Sequence, residues 1–439
     1  MKDASSPSEV LERLRRFESR NITHVDRANG WPIVWDRARG SSVWDVEGRR
    51  YTDLTAAFGV AAAGHANAKV VAAARRQAGR LLHAMGDVHP HAGKAALVEE
   101  LSRWTFGRWR PGSEAKSILT GSGSEAVECA LKTARLATGR PGVIAFEGAY
   151  HGLGYGALNA THREHFRARF RDQLGGFVEF VPFPVEQPAD PGDGDLELQL
   201  TLASSRRAIG AILVEPIQAR GGIRVPPDGF LNRLRRWCDA HGALLVLDEV
   251  YTGFGRTGAW FACEHEGVVP DLICLGKAMT GGFPMGACVG TSAIMDLAWP
   301  ESDGEAIHTS TFLGHPVGCA MALAQMAELD SRALPARCKA EGEWLRDRLE
   351  GVSHSFPEGL VRAVGRGLMA GLEVRGSEER PAGLAVVRCM QRLLADGIIV
   401  LPEGAGAEVL SLTPPLTISR RELDRAVRRI ECRLKEVLS

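Results

Sequence analysis

The sequence predicts an α/β protein: a large domain on a mostly parallel sheet covered by helices, plus a smaller α/β domain formed by the two ends of the chain. Three observations carry this. Between residues 117 and 275, short wholly apolar runs alternate with helical segments, the pattern of parallel strands buried on both faces. The length, 439 residues, suits one large and one smaller domain. Near residue 326 the texture changes, as a long Arg/Glu/Ala helix opens a second α/β run.

In chain order, Ser6, Pro7 and Glu9 predict a helix start, with Ser6 as N-cap and Glu9 closing a capping box. "SSVWDVEGRRYTDL" (41–54) alternates and turns at Glu47-Gly48, which predicts a β-hairpin. Small residues from Ala56 to Ala68 precede helical patterns that run to about residue 106. The strand runs are Ser117–Leu119, Val143–Phe146, Phe180–Phe183, Ala211–Val214, Ala243–Leu247 and Leu272–Leu275. "QPADPGDGD" (187–195) has the composition of a surface loop. "GRGLMAGLEV" (365–374), "GIIVLPEG" (397–404) and "AEVLSLTPPLTIS" (407–419) follow, and Ser419 to Glu422 predicts a capping box for the last helix. The expected division is an N-terminal segment over 1–70, a large domain over 71–325, and a C-terminal small domain over 326–439 that shares its fold with the N-terminal hairpin.

Composition excludes several function classes. With 53 basic and 53 acidic residues no net field draws the chain to nucleic acid or an anionic membrane. No apolar run approaches the length of a membrane span, and the first residues lack the apolar core of a signal peptide. The nine cysteines are scattered, odd in number and contain no C-x-x-C. That argues for a reducing compartment and against a disulfide or zinc framework. The expected location is the cytoplasm.

The chemistry gathers at strand ends. "SILTGSGSEAVECALKTAR" (117–135) reads as strand, glycine-serine turn and helix; such a helix N-terminus offers free N–H groups to a phosphate. By itself it equally fits a dinucleotide G-x-G-x-x-A or a plain tight turn. "FEGAYHG" (146–152) puts Tyr150 and His151 after the next strand, where an aromatic can stack on a planar ligand or simply fill core. "VLDEVYTGFGRTG" (246–258) ends an apolar strand in Asp248-Glu249, at the edge where open α/β sheets bind ligands. A carboxylate buried there needs a cationic partner, and a protonated ring nitrogen or an arginine would serve. In "DLICLGKAMTGG" (271–282), Lys277 follows another apolar strand. Only eight of the 53 basic residues are lysine. Most lysines that begin a helix are solvated, but one held among apolar neighbours becomes a nucleophilic amine suited to Schiff-base chemistry. Together the four features ask for a ligand with a phosphate, a flat ring, a basic ring nitrogen and an aldehyde, as pyridoxal 5′-phosphate has. A dinucleotide accounts for the first alone.

With "SGSEAVECALKTAR", "YHG", "EPIQARGG", "DEVYTGFGRTG", "GKAMTGGFPMGA" and "HTSTFLGHPVGCA" in order, the sequence resembles the class III (ω-type) aminotransferases of pyridoxal-phosphate fold type I, from about Ser42 to the "TPPLTIS" segment. The resemblance implies the type I fold, with its seven-stranded large-domain sheet, and pyridoxal phosphate as cofactor. It implies Lys277 as the Schiff-base lysine and proton carrier, Asp248 on the pyridine nitrogen, and Gly123 and Ser124 at the phosphate. Tyr150 and Val250 would cover the ring faces, with His151 also at the cofactor. Tyr251 stands where many relatives carry a glutamine and can donate a hydrogen bond. Thr311 would reach the cofactor phosphate of a partner subunit, which implies a homodimer with shared sites. Substrate contacts are expected from Phe58, Val60, Glu215, Arg220 and, across the dimer, Phe312.

Two positions depart from the family pattern. Many relatives clamp a substrate carboxylate with an arginine in the late strand; the aligned position here is Ser411, and no arginine lies between Leu401 and Ile418. Glu215, which can pair with that arginine in relatives, is expected to turn to Arg220 or to a substrate amino group. His315 replaces a usual asparagine. The expected activity is amino transfer between an amine or amino acid and a carbonyl acceptor without that clamp, with a primary amine, diamine, amino sugar or lactam as the suited substrate. A racemase, epimerase or aminomutase on the same fold keeps the same residues and is the alternative. A catalytically silent binding protein is disfavoured by the intact cofactor positions.

Overall fold

The computed structural model describes residues 6–26, 30–185, 196–376 and 381–438; the surface loop expected at 187–195 lies outside them. The chain opens with a helix over Pro7–Phe17, whose Ser6 hydroxyl accepts from Glu9 N while the Glu9 carboxylate accepts from Ser6 N. β1 (Trp35–Arg39), β2 (Ser42–Asp45) and β3 (Arg50–Asp53) form an antiparallel meander. Its β2–β3 turn is tied by Asp45, whose Oδ1 accepts from Glu47 N and Arg49 N at 3.1 and 2.8 Å. Gly48 there takes φ +82°, a conformation open chiefly to glycine.

The large sheet has seven strands: β4 (Ala115–Thr120), β5 (Gly142–Phe146), β6 (Val178–Val181), β7 (Ile209–Val214), β8 (Leu244–Asp248), β9 (Leu272–Leu275) and β10 (Gly286–Thr291). Their order is β4-β10-β9-β8-β7-β5-β6, parallel except for β10, which is antiparallel to both neighbours. The apolar runs are continuous because alternate residues bury on opposite faces. Ala145, Leu213, Val246 and Cys274 pack under the helix Gly123–Thr138. Ile144, Ile212, Leu245 and Ile273 join the main core on the other face.

Two strands differ from expectation. The run expected at Phe180–Phe183 is paired over Val178–Val181, because Pro182 has no N–H to continue the ladder. β10 has no counterpart among the expected runs, since its sequence "GACVGT" carries two glycines. They are there for space: a Cβ on Gly286 would lie 2.5 Å from Ser122 O, and one on Gly290 2.5 Å from a Leu272 methyl.

A second sheet holds β11 (Val361–Arg366), β12 (Met369–Val374), β14 (Leu401–Glu403) and β15 (Val409–Leu412), in the order β11-β12-β15-β14. The two-residue strand β13 (Ile398–Ile399) leaves it to pair in parallel with β3, so hairpin and C-terminal segment share one sheet. In the final helix, Arg420–Leu438, Ser419 and Glu422 bond reciprocally as the sequence predicts. Among the described residues no helix is long and apolar enough to cross a membrane.

Candidate active site

A cleft of about 830 Å³ opens at the carboxyl ends of β8 and β9, beside the N-terminus of the helix Gly123–Thr138. That N-terminus is capped by Ser122, whose hydroxyl accepts from Glu125 N at 3.2 Å. The surrounding chain comes close enough to demand glycine. A Cβ on Gly123 would meet Val250 Cγ1 at 2.7 Å, and one on Gly152 (φ +124°) would meet Ser124 Oγ at 2.3 Å. The result is a walled cradle at the positive end of a helix, with Ser124 Oγ also accepting from Gly154 N at 3.2 Å.

Asp248 closes β8 and is buried. Its Oδ1 accepts from Val250 N at 3.1 Å and its Oδ2 lies 2.8 Å from His151 Nδ1. His151 is thus held against the carboxylate, while its Nε2 is buried with no hydrogen-bond partner. The neighbouring Glu249 has a different role. It is fully buried and bonded to Ala262 N, Cys263 N and the Thr252 hydroxyl, tying the loop after β8 into the core. Burial pushes its carboxyl up to about 7.

Lys277 follows β9 in a single 3₁₀ turn, Lys277–Met279, rather than starting an α-helix. Its φ is +41°, a left-handed conformation that costs a non-glycine residue about 1–3 kcal/mol. Burial lowers its amine pKa, against the opposing pull of Asp248 and Glu215. Nζ lies 4.6 Å from the centroid of the Tyr251 ring, and the Tyr251 hydroxyl is already engaged, 3.1 Å from Thr413 Oγ1. Tyr150 stands edge-on to Phe166 at 5.5 Å, with the Arg220 guanidinium 5.6 Å from its own ring centroid.

The structure therefore brings Gly123, Ser124, Tyr150, His151, Asp248, Val250, Tyr251 and Lys277 to one cleft, with Phe58, Glu215 and Arg220 on its wall. Phe58 sits in a run of left-handed residues, Ala56, Ala57 and Phe58, at φ 46°, 48° and 62°. Val60 is not among the described residues that line the cleft. Thr311 and Phe312 are exposed, Phe312 by 63%, and line no part of this chain's own cleft.

One expectation is corrected. Glu215 does not turn to Arg220. Its two oxygens accept from Tyr150 N at 2.9 Å and Ala219 N at 3.2 Å, and burial lifts its carboxyl to about 7. Arg220 pairs instead with Glu403 on β14, Nε to Oε2 at 3.6 Å. Glu403 escaped the sequence reading, although an acidic residue closing the apolar run "GIIVLPEG" was a signal. Ser411 is buried in β15 on the face shared by Val409, which packs on Ala219 and Tyr251, and by Thr413. His315 caps the helix Pro316–Ser331, its Nδ1 accepting from Val317 N at 3.2 Å, a task at which asparagine also excels.

The family model for class III aminotransferases matches residues 24–434. The chain belongs to the class III aminotransferases. It is 37% identical over 400 residues to the 5-aminovalerate aminotransferase of Pseudomonas aeruginosa, covering 90% of this chain and 92% of that one. It is 35% identical over 417 residues to the putrescine aminotransferase of Pectobacterium atrosepticum, covering 92% and 83%. Among solved structures it resembles an amine transaminase from an uncultivated Pseudomonas species in its pyridoxal-phosphate-bound form, with TM-score 0.86, 28% identity, and 96% and 98% of the chains covered. The fold is thus that of the pyridoxal-phosphate transaminases, the cofactor is pyridoxal 5′-phosphate, and the activity is amino transfer between an amine or amino acid and a carbonyl compound. These relatives do not favour the racemase alternative.

Proposed function

We propose that Lys277 is the nucleophile and proton carrier of this aminotransferase, and that Asp248 is its electrostatic partner at the cofactor ring. The carrying observation is a half-buried lysine of lowered pKa, strained into the left-handed region, in one cleft with a buried carboxylate and a glycine-walled helix N-terminus. These residues fit pyridoxal phosphate, since the cradle at Gly123, Ser124 and Gly152 suits a phosphate and Asp248 suits a protonated ring nitrogen. When bound, the cofactor supplies the aldehyde that receives the amino group and a ring that spreads the charge left on the substrate carbon.

The chain's own residues divide the remaining work. Gly123 and Ser124 would hold the phosphate at the helix end, and Tyr150 and Val250 would flank the ring. His151 orients the Asp248 carboxylate through Nδ1. The depressed basicity of Lys277 leaves more of its amine uncharged near neutral pH, as a base needs. Tyr251, with its hydroxyl on Thr413, packs against that amine. Glu215 fixes the backbone of Tyr150 and of the loop bearing Arg220. Thr311 and Phe312, exposed and away from their own cleft, serve the cleft of a second copy, so the working unit is a homodimer. The cysteines are free and eight of the nine are buried, which supports a reducing compartment, the cytoplasm.

The amino donor is not held by a guanidinium on β15, because Ser411 stands there. A carboxylate-free amine, such as a diamine, suits this wall, in keeping with the putrescine relative. The test begins with borohydride, which fixes the cofactor on Lys277, read by peptide mass spectrometry. Benzylamine, 1,4-diaminobutane and glucosamine are then compared as donors with glutamate, 4-aminobutyrate and ornithine. Tight and efficient use of all three amino acids would refute the donor class, and a label found on another lysine would refute the role of Lys277.

A further inference from the structure

Arg220 supplies the only guanidinium among the described residues lining the cleft. Its side chain is one-third exposed to that space, and its Nε is buried without a hydrogen-bond partner. Glu403 lies behind it, 5% exposed, with Oε2 likewise unpartnered. The pair is separated by 3.6 Å, close enough for attraction and too long for a hydrogen bond. A second cation, Arg163, approaches the same corner, with Nη2 3.4 Å from Ala405 O and its guanidinium 5.5 Å from the Phe166 ring. The arrangement holds one carboxylate against a guanidinium that lines the cleft and whose buried Nε remains without a hydrogen bond.

We propose that Arg220 recognises the carboxylate of an oxo acid substrate from this wall, and that Glu403 is an exchangeable counter-ion which Arg220 leaves when the acid arrives. The inference rests on reading the cleft as the site of amino transfer. A carboxylate presented through the cleft can take two parallel N–H donors from Arg220, which outcompete a contact lacking a hydrogen bond. A carboxylate-free amine makes no such claim, and the pair stays closed. One site thereby takes both partners of the reaction, although β15 carries a serine.

Releasing Arg220 leaves Glu403 buried, and burial has already pushed its carboxyl up to about 7. The charged and titratable groups facing it are Arg220, Arg163, Lys277, Tyr150 and Tyr251, with Glu408 near Arg163 and Glu215 in the same cleft. Acid binding therefore takes up a proton at Glu403. Below pH 7 the carboxyl is neutral and Arg220 is free. As pH rises through 7, Glu403 ionises and retains Arg220, so affinity for the acid falls, by at most about tenfold per pH unit for one coupled proton.

The experiment uses the holoenzyme with pyruvate as acid, benzylamine as carboxylate-free amine, and propionate as an unreactive acid whose Kd is read by calorimetry. Arg220→Gln should raise the propionate Kd by about 10- to 100-fold, the loss of a charged hydrogen-bonded contact, and raise the ratio of pyruvate KM to benzylamine KM at least tenfold. Arg220→Lys, which keeps the charge and loses the fork, should fall between Arg220→Gln and wild type. Glu403→Gln should tighten propionate and flatten the fall in its affinity above pH 7, leaving only the part due to Glu215, which still titrates at about 7. An unchanged propionate Kd in Arg220→Gln, or equal losses for pyruvate and benzylamine, overturns the proposal. A Glu403→Gln variant that weakens propionate as Arg220→Gln does overturns the exchange. If the wild type transfers no amino group, the functional reading has failed, and the propionate measurements still decide the role of Arg220.

Discussion

At the inner end of the cleft, each polar group sits beside the end of a strand. Asp248 closes β8, Lys277 follows β9, and Gly123 and Ser124 begin the helix after β4. On the outer wall the groups converge from distant segments: Arg220 from the loop after β7, Glu403 from β14, Ser411 from β15. The inner end is strained and tightly packed, with a left-handed lysine and glycines whose Cβ atoms would collide. The outer wall holds an ion pair with unsatisfied atoms on both sides. On the proposed assignment, chemistry common to every substrate is built from local, rigid turns, whereas the choice of substrate is left to a looser long-range pair. Changes at the inner end should therefore strike all substrates alike, and changes at the outer wall should discriminate between them.

The largest effect is expected at Lys277. Lys277→Ala should lower turnover by about 10⁴-fold, the upper range for loss of a positioned proton carrier, and by the same factor for an amine and for an oxo acid. Different factors in single-turnover assays would break the comparison. Asp248→Asn should follow, at on the order of 10²-fold for loss of one electrostatic contact to the reacting system, again equal across substrates. Gly123→Ala should be smaller. Its new methyl meets Val250 Cγ1 at 2.7 Å, an overpacking that costs about 1–3 kcal/mol and should weaken cofactor retention, measured by dialysis. Adding Val250→Ala should restore retention; if it does not, the cradle is not shaped by that contact.

The same contrast explains what was legible in the sequence. Lys277 and Asp248 could be read because each is a charge at the end of an apolar run, and the run itself declares the strand that carries it. The hairpin at Glu47-Gly48 and the two capping boxes were readable because their hydrogen bonds close within four residues. Strand β10 was hidden because its glycines serve contacts with Ser122 and Leu272, which local propensity does not reveal. Glu403 also closes an apolar run, but its role was hidden, because nothing between Leu401 and Gly404 indicates that the carboxylate meets an arginine 183 residues earlier. Of the two expectations for Glu215, the pairing with Arg220 fails because a buried carboxylate can be satisfied by backbone N–H groups as well as by a guanidinium, and the sequence does not display backbone donors.

The parallel pairing of β3 with β13 sets a condition on how the chain can be made. Thr52 lies opposite Ile398, so the hairpin leaves the ribosome with one edge open and waits for a strand some 346 residues behind it. At about 5–20 residues per second that delay is roughly 20–70 s. An unpaired strand edge recruits other chains during such an interval, so full-length synthesis, rather than any early domain, closes this sheet.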